Sequence, residues 1–161
     1  MTMQIIRNRQ IVEDDFEHVA DAAALPAGRK PIVTLAAYVA APAELLARHP
    51  ALGVRIASDK LPTDIPELTR LALIAIEFPR FSDGRGYSVA RRLRDRHGFL
   101  GELRAVGWVL RDQLFYMERC GFTAFELKAG KSLESALEAF GEFSVTYQAA
   151  ADEKRPIYRR R

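Results

Sequence analysis

Short β-branched apolar runs recur along the chain every 20 to 30 residues, and this recurrence limits the possible folds more than any other feature. The runs are Ile32–Leu35, Gly53–Ala57 (GVRIA), Leu73–Phe78 (LIAIEF), Leu103–Val109 and Ala124–Leu127. Helix signals fill the gaps. Pro42 stands at a first helical position ahead of Leu45 and Leu46, Pro66 opens a short helix carrying Leu68 and Leu71, and Gly98 and Gly121 stop helices over 88–97 and 112–120. Ser132 caps a last helix whose apolar face is Leu133, Ala136, Leu137 and Phe140, at i, i+3, i+4 and i+7. Strands alternating with helices predict an α/β fold of about five mainly parallel strands. An open doubly wound sheet and a partial (β/α) barrel both fit this pattern.

Ahead of these units, Gln4–Arg7 and Gln10–Val12 flank a turn at Asn8 and predict a small N-terminal hairpin over 4–12. The alanine-rich stretch from Glu17 to Lys30 gives no clear period. The 161 residues fit one domain over 1–150, and 151–161 reads as a basic C-terminal tail.

The chain is 48% hydrophobic and 28% charged, enough for a core without staples. Its one cysteine, Cys120, cannot form an internal disulfide, and helix position makes it core rather than nucleophile. No apolar run is long enough to span a bilayer, and the first residues are too polar for a signal peptide, so a cytoplasmic location is expected. His18, His49 and His97 lack partners at ligand spacing, which predicts no metal site, and no cofactor motif is evident. The net charge of +3 is carried by clustered arginines: Arg91, Arg92, Arg94 and Arg96, then Arg159, Arg160 and Arg161. Arginine suits planar contacts to carboxylate, sulfate or phosphate. No helix-turn-helix, zinc spacing or RNA-binding aromatic pattern accompanies them, which argues against nucleic acid.

Three constellations could carry chemistry. The first is FPRFSDGRGYS, Phe78 to Ser88, a loop between a strand and a helix. Ligands of α/β sheets bind at the carboxyl ends of strands. Arg80, Arg85 and the helix start favour an anion, Gly84 and Gly86 would allow positive φ and close approach, Ser88 adds a hydroxyl, and Asp83 could orient an arginine or act as a base. The second is one charge in each of four successive strands: Arg55, Glu77, Arg104 and Glu126. A charge in a buried parallel strand is costly unless paired, so the alternating signs predict a shared, self-neutralising face. Glu77 is also a candidate acid or base beneath the loop. The third is the next strand–helix joint, where Arg111, Asp112 and Gln113 could form the opposing wall of an oxyanion site, although Asp112 also suits a first helical turn for its own sake.

The stretch FPRFSDGRGYSVARRLRDRHGFLGELRAVGWVLRDQLFYMERCGFTAFEL, with the later FSVTYQ and the earlier IIRNRQIVEDD and LGVRIASD, resembles a bacterial family of unknown function labelled as an oxidoreductase involved in sulfite reduction. Trp108 departs from it, standing where the family is expected to carry a small or acidic residue. The resemblance implies a part in assimilatory sulfate and sulfite reduction. An accessory or oxyanion-binding partner of sulfite reductase, or of an acidic electron-donor protein, fits the arginines. A small-molecule enzyme working at the strand ends is the alternative, and neither a complete catalytic set nor a redox group is legible. Open sheet edges also suggest a homodimer.

Overall fold

A computed structural model describes residues 3–20, 27–142, 148–156 and 159. The order is β1 (Gln4–Arg7), β2 (Gln10–Glu13), β3 (Phe16–Val19), β4 (Lys30–Thr34), α1 (Leu35–Ala40), α2 (Pro42–Arg48), β5 (Gly53–Ala57), β6 (Leu73–Phe78), α3 (Arg85–Asp95), β7 (Glu102–Gly107), α4 (Arg111–Arg119), β8 (Ala124–Phe125) and α5 (Leu133–Glu138). Two 3-10 turns, Pro62–Asp64 and Leu68–Arg70, lie between β5 and β6.

All eight strands form one sheet in the order β2-β1-β8-β7-β6-β5-β4-β3. From β3 to β8 the neighbours are parallel and in chain order. A doubly wound sheet would reverse order at its middle, so the sequential order selects the barrel-like alternative. The β1–β2 hairpin joins antiparallel to the far side of β8. The parallel count is thus six rather than five. The strand that sequence reading misses is β3, FEHV, four residues with Glu17 exposed and His18 half-buried, too short and polar for an apolar run. Helix α1 was also not foreseen; Thr34 caps it by accepting from the Ala37 N–H at 3.2 Å.

The sheet curls into a half-barrel. Its two edge strands, β2 and β3, are joined by Asp14 and Asp15 alone. His18 of β3 meets Glu126, just past β8, at 2.9 Å, yet a flat sheet would hold those strands about 24 Å apart, five spacings of roughly 4.8 Å.

Each strand sends alternate residues to two faces. The convex face packs under the helices, with Val33, Val54, Ile56, Ile74, Ile76, Phe78, Leu103, Ala105 and Phe125 in the main core. The concave face carries a small cluster of Phe16, Ile32, Leu73, Ala75 and Val106. The alternation puts Arg55, Glu77, Arg104 and Glu126 on this same concave face.

Past α5, the described part of the C-terminal segment folds back on α4: Ala151 donates to the Arg119 carbonyl at 2.9 Å, and Arg119 reaches the Gln148 carbonyl and Asp152. Most of FSVTYQ, together with Arg160 and Arg161, lies outside the described residues.

Candidate functional site

The joint between β6 and α3 lies at the carboxyl end of the sheet. Its central group is Asp83. Ser58, buried after β5, donates to Asp83 Oδ2 at 2.8 Å. Arg85 clasps the same carboxylate with Nε at 3.0 Å and Nη2 at 2.7 Å, and its backbone N–H donates to Oδ1 at 3.1 Å. The Arg85 guanidinium, then the Ser58 hydroxyl, hold the Asp83 carboxyl far below the usual carboxylate range. A carboxylate so stabilised is a poor proton acceptor. It also sits on the first N–H of α3, the place an incoming anion would take.

The glycines of the loop have different reasons from those the sequence suggested. Neither takes positive φ: Gly84 caps α3 at φ −89° and Gly86 is inside the helix. A Cβ on Gly86 would lie 2.7 Å from the Phe78 ring and 3.1 Å from Ile76, so glycine here lets α3 rest directly on β6. Nearby, Gly107 at the end of β7 does take positive φ, at +87°, where a Cβ would lie 2.6 Å from the Phe78 carbonyl oxygen. This close crossing lets Trp108 N–H donate to that oxygen at 2.7 Å and ties the ends of β6 and β7 together.

The second joint adjoins the first through Gln113. Its side chain accepts from the Leu110 N–H at 3.0 Å and donates to the Phe81 carbonyl at 3.5 Å. Arg111 turns away from this wall. It donates to the Ser135 carbonyl at 2.9 Å and pairs with Glu142 at 2.7 Å, so it fastens α4 to α5 and does not face Arg85 as a clamp. Asp112 is exposed in the first turn of α4. Ser88 lies one turn into α3 on its solvent face. The Arg80 side chain is exposed, with no hydrogen-bond or ion-pair partner among the described residues.

The four strand charges fall into two pairs. Arg55 and Glu77 approach at 3.8 Å in the open upper part of the concave face, both substantially exposed. Arg104 and Glu126 lie 4.0 Å apart, but Arg104 has closer partners. Fully buried, it makes a two-point bond to Asp14 at 2.7 and 2.9 Å, donates to Glu102 at 2.8 Å and stacks its guanidinium 5.4 Å from the Phe16 ring. Burial opposes its charge, and the carboxylates of Asp14 and Glu102 more than offset that, leaving it held above the usual arginine value. Arg7 bridges Glu102 at 2.8 Å and Asp15 at 2.9 Å. Asp14 is not singled out by the sequence, and His18 stands out there only as an isolated histidine. Nothing in QIVEDDFEHV signals a partner some 90 residues away, and only the curl brings them to Arg104 and Glu126.

Cys120 is buried, and burial pushes its thiol up, which suits a core residue. Among the described residues no helix is long and apolar enough to cross a membrane.

Fold and site together define an α/β half-barrel protein whose deepest charges are spent within the sheet and whose unpaired arginines face solvent. The family model described as a bacterial protein of unknown function (DUF934) matches residues 53–158, and the chain belongs to that family. A search of curated proteins found no match.

Proposed function

We propose that the protein serves assimilatory sulfate and sulfite reduction as an accessory, binding partner of sulfite reductase or of its electron donor, rather than as a self-sufficient oxidoreductase. The observation that carries this reading is the saturation of Asp83. Its carboxylate is fully engaged by Ser58 and Arg85, so the most prominent loop of the chain offers no free base. Among the described residues the free cationic groups include Arg80 at the loop and Arg92 and Arg96 further along α3. Such groups steer and hold acidic partners. A small oxyanion at the loop would be held by Arg80, since Asp83 already occupies the start of α3.

The test is capture of sulfite reductase from a bacterial extract on the immobilised chain, at low and high salt, with sulfite titration beside it. Salt-sensitive capture supports the reading. Absence of capture, together with sulfite-dependent turnover by the chain alone, overturns it. That outcome would favour an enzyme working at the strand ends, for which the 2.9 Å contact of His18 with Glu126, on the same face as Glu77, is the supporting observation.

A further inference from the structure

We infer that the groove between α3 and α4 docks an extended acidic segment of a protein partner. The inference deepens the accessory role proposed above and rests on it. The groove, a cavity of about 300 Å³, is floored in part by Cys120 and walled by α3, Tyr87 included, on one side and by Tyr116 of α4 on the other. Along α3 it is lined by Ser88, Arg91, Arg92, Asp95 and Arg96, which share one helix face at i, i+3, i+4, i+7 and i+8.

Charge sets this groove apart from two other cavities among the described residues. Asp95 pairs with Arg91 at 2.9 Å, and Arg91 also reaches the Arg119 carbonyl. That leaves Arg92 and Arg96 exposed, without an acidic partner among the described residues. A cavity of about 580 Å³ beside β8 carries Glu13 and Glu126 against Lys128 and Lys131. A third, of about 220 Å³, is lined by the Arg9–Glu118 pair at 2.9 Å and by Arg94 and Asp152. In both, acidic and basic side chains of the lining are equal in number.

Spacing selects the shape of the occupant. Arg92 and Arg96 are four residues apart on a helix, about 6 Å along its axis. Alternate side chains of an extended chain repeat every 6.6 Å or so. Carboxylates on alternate residues of an extended segment therefore meet both guanidinium groups in register. Tyr116, 58% exposed and with its ring centred 5.1 Å from that of Tyr87 at a tilt of 50°, offers the aromatic anchor that tight contacts favour. Arg94, on the same helix, does not take part. It is turned inward to the carbonyls of Phe99, Gly101 and Gly121.

The test uses the full chain and a fluorescein-labelled heptapeptide with glutamate at alternate positions, followed by anisotropy in low salt. Wild type is compared with Arg92→Gln/Arg96→Gln, with Tyr116→Ala, and with Arg48→Gln on α2 as a control for general charge. The arginine pair variant is expected to bind at least tenfold more weakly and Tyr116→Ala several-fold more weakly, with Arg48→Gln unchanged. Equal binding by the pair variant, an equal loss in Arg48→Gln, or tighter binding of a thymidine oligonucleotide through the same arginines would overturn the inference. Capture of sulfite reductase separates the two proposals. If the pair variant captures the reductase as well as wild type, the groove fails and the accessory role stands. If the peptide binds through the groove and wild type captures no reductase, the docking surface stands and its assignment to sulfite reduction fails.

Discussion

The half-barrel contains two arginine–aspartate clasps of nearly the same geometry, and they do different work. Arg104 and Asp14 lie 90 residues apart in sequence and are almost wholly buried. Arg85 and Asp83 lie two residues apart, and Arg85 is 62% exposed. The first clasp spans the interior and joins β7 to the corner where the sheet's edges meet. The second shapes one loop and the first turn of one helix. A pairwise bond therefore says little until its burial and reach are known. Buried, its loss leaves an uncompensated charge in the interior. Exposed, its loss is shared with water and salt.

The contrast can be broken most sharply at Arg104. Arg104→Met leaves buried Asp14 with only the 3.7 Å approach of Arg7 and should cost about 3–5 kcal/mol in urea unfolding. Replacing both, Arg104→Met with Asp14→Leu, should recover most of that loss. A double variant as unstable as the single one would show that the clasp is not the unit. Next comes Gly86→Ala, whose new methyl overlaps the Phe78 ring. Overpacking of that kind costs roughly 1–3 kcal/mol. Gly84→Ala is its control: the nearest atom is 3.9 Å away and φ is negative, so its melting temperature should stay close to wild type.

Asp83→Ala should be milder, about 1 kcal/mol, as for the loss of a helix cap. A loss as large as that of Arg104→Met would erase the distinction between the clasps.

The smallest effect is a pH dependence. For Asp15, burial raises the carboxyl, but Lys30 and Arg7 outweigh it and bring it to about 2 from an ordinary 3.8. A folded value below the unfolded one means that the unfolded chain binds more protons within that window. The stability contributed by Asp15 is thus full above pH ~4 and fades as pH falls towards ~2. Asp83, also lowered, adds to the same trend. Melting followed from pH 5 to 2 should show this decline, and Asp15→Asn should flatten part of it.

Much of the parallel sheet was readable because its middle strands are self-contained signals. Gly53–Ala57 and Leu73–Phe78 occur in the structure with the bounds the sequence suggests, as apolar runs set off by glycine, proline or polar turns. Alternation alone also placed Arg55, Glu77, Arg104 and Glu126 on one face, since their strands are parallel and in step. It could not say that Arg104 would bond mainly to Asp14. That contact depends on the curl, a property of the whole sheet. Strand β3 escaped for the same reason: FEHV pairs with β4 alone and owes its place to closure of the barrel corner. At the loop, residue type was a fair guide to Asp83 and Arg85 as a pair, but Gly86 and Arg111 were misread. One answers to the Phe78 ring and the other to α5, partners distant in sequence.

The accessory role is tested most directly in a bacterium lacking this gene, grown with sulfate or with cysteine as its sole sulfur source. The account predicts poor growth on sulfate, normal growth on cysteine, and sulfite reductase that is present in extracts but less active in the cell. Normal growth of the deletion strain on sulfate would contradict it.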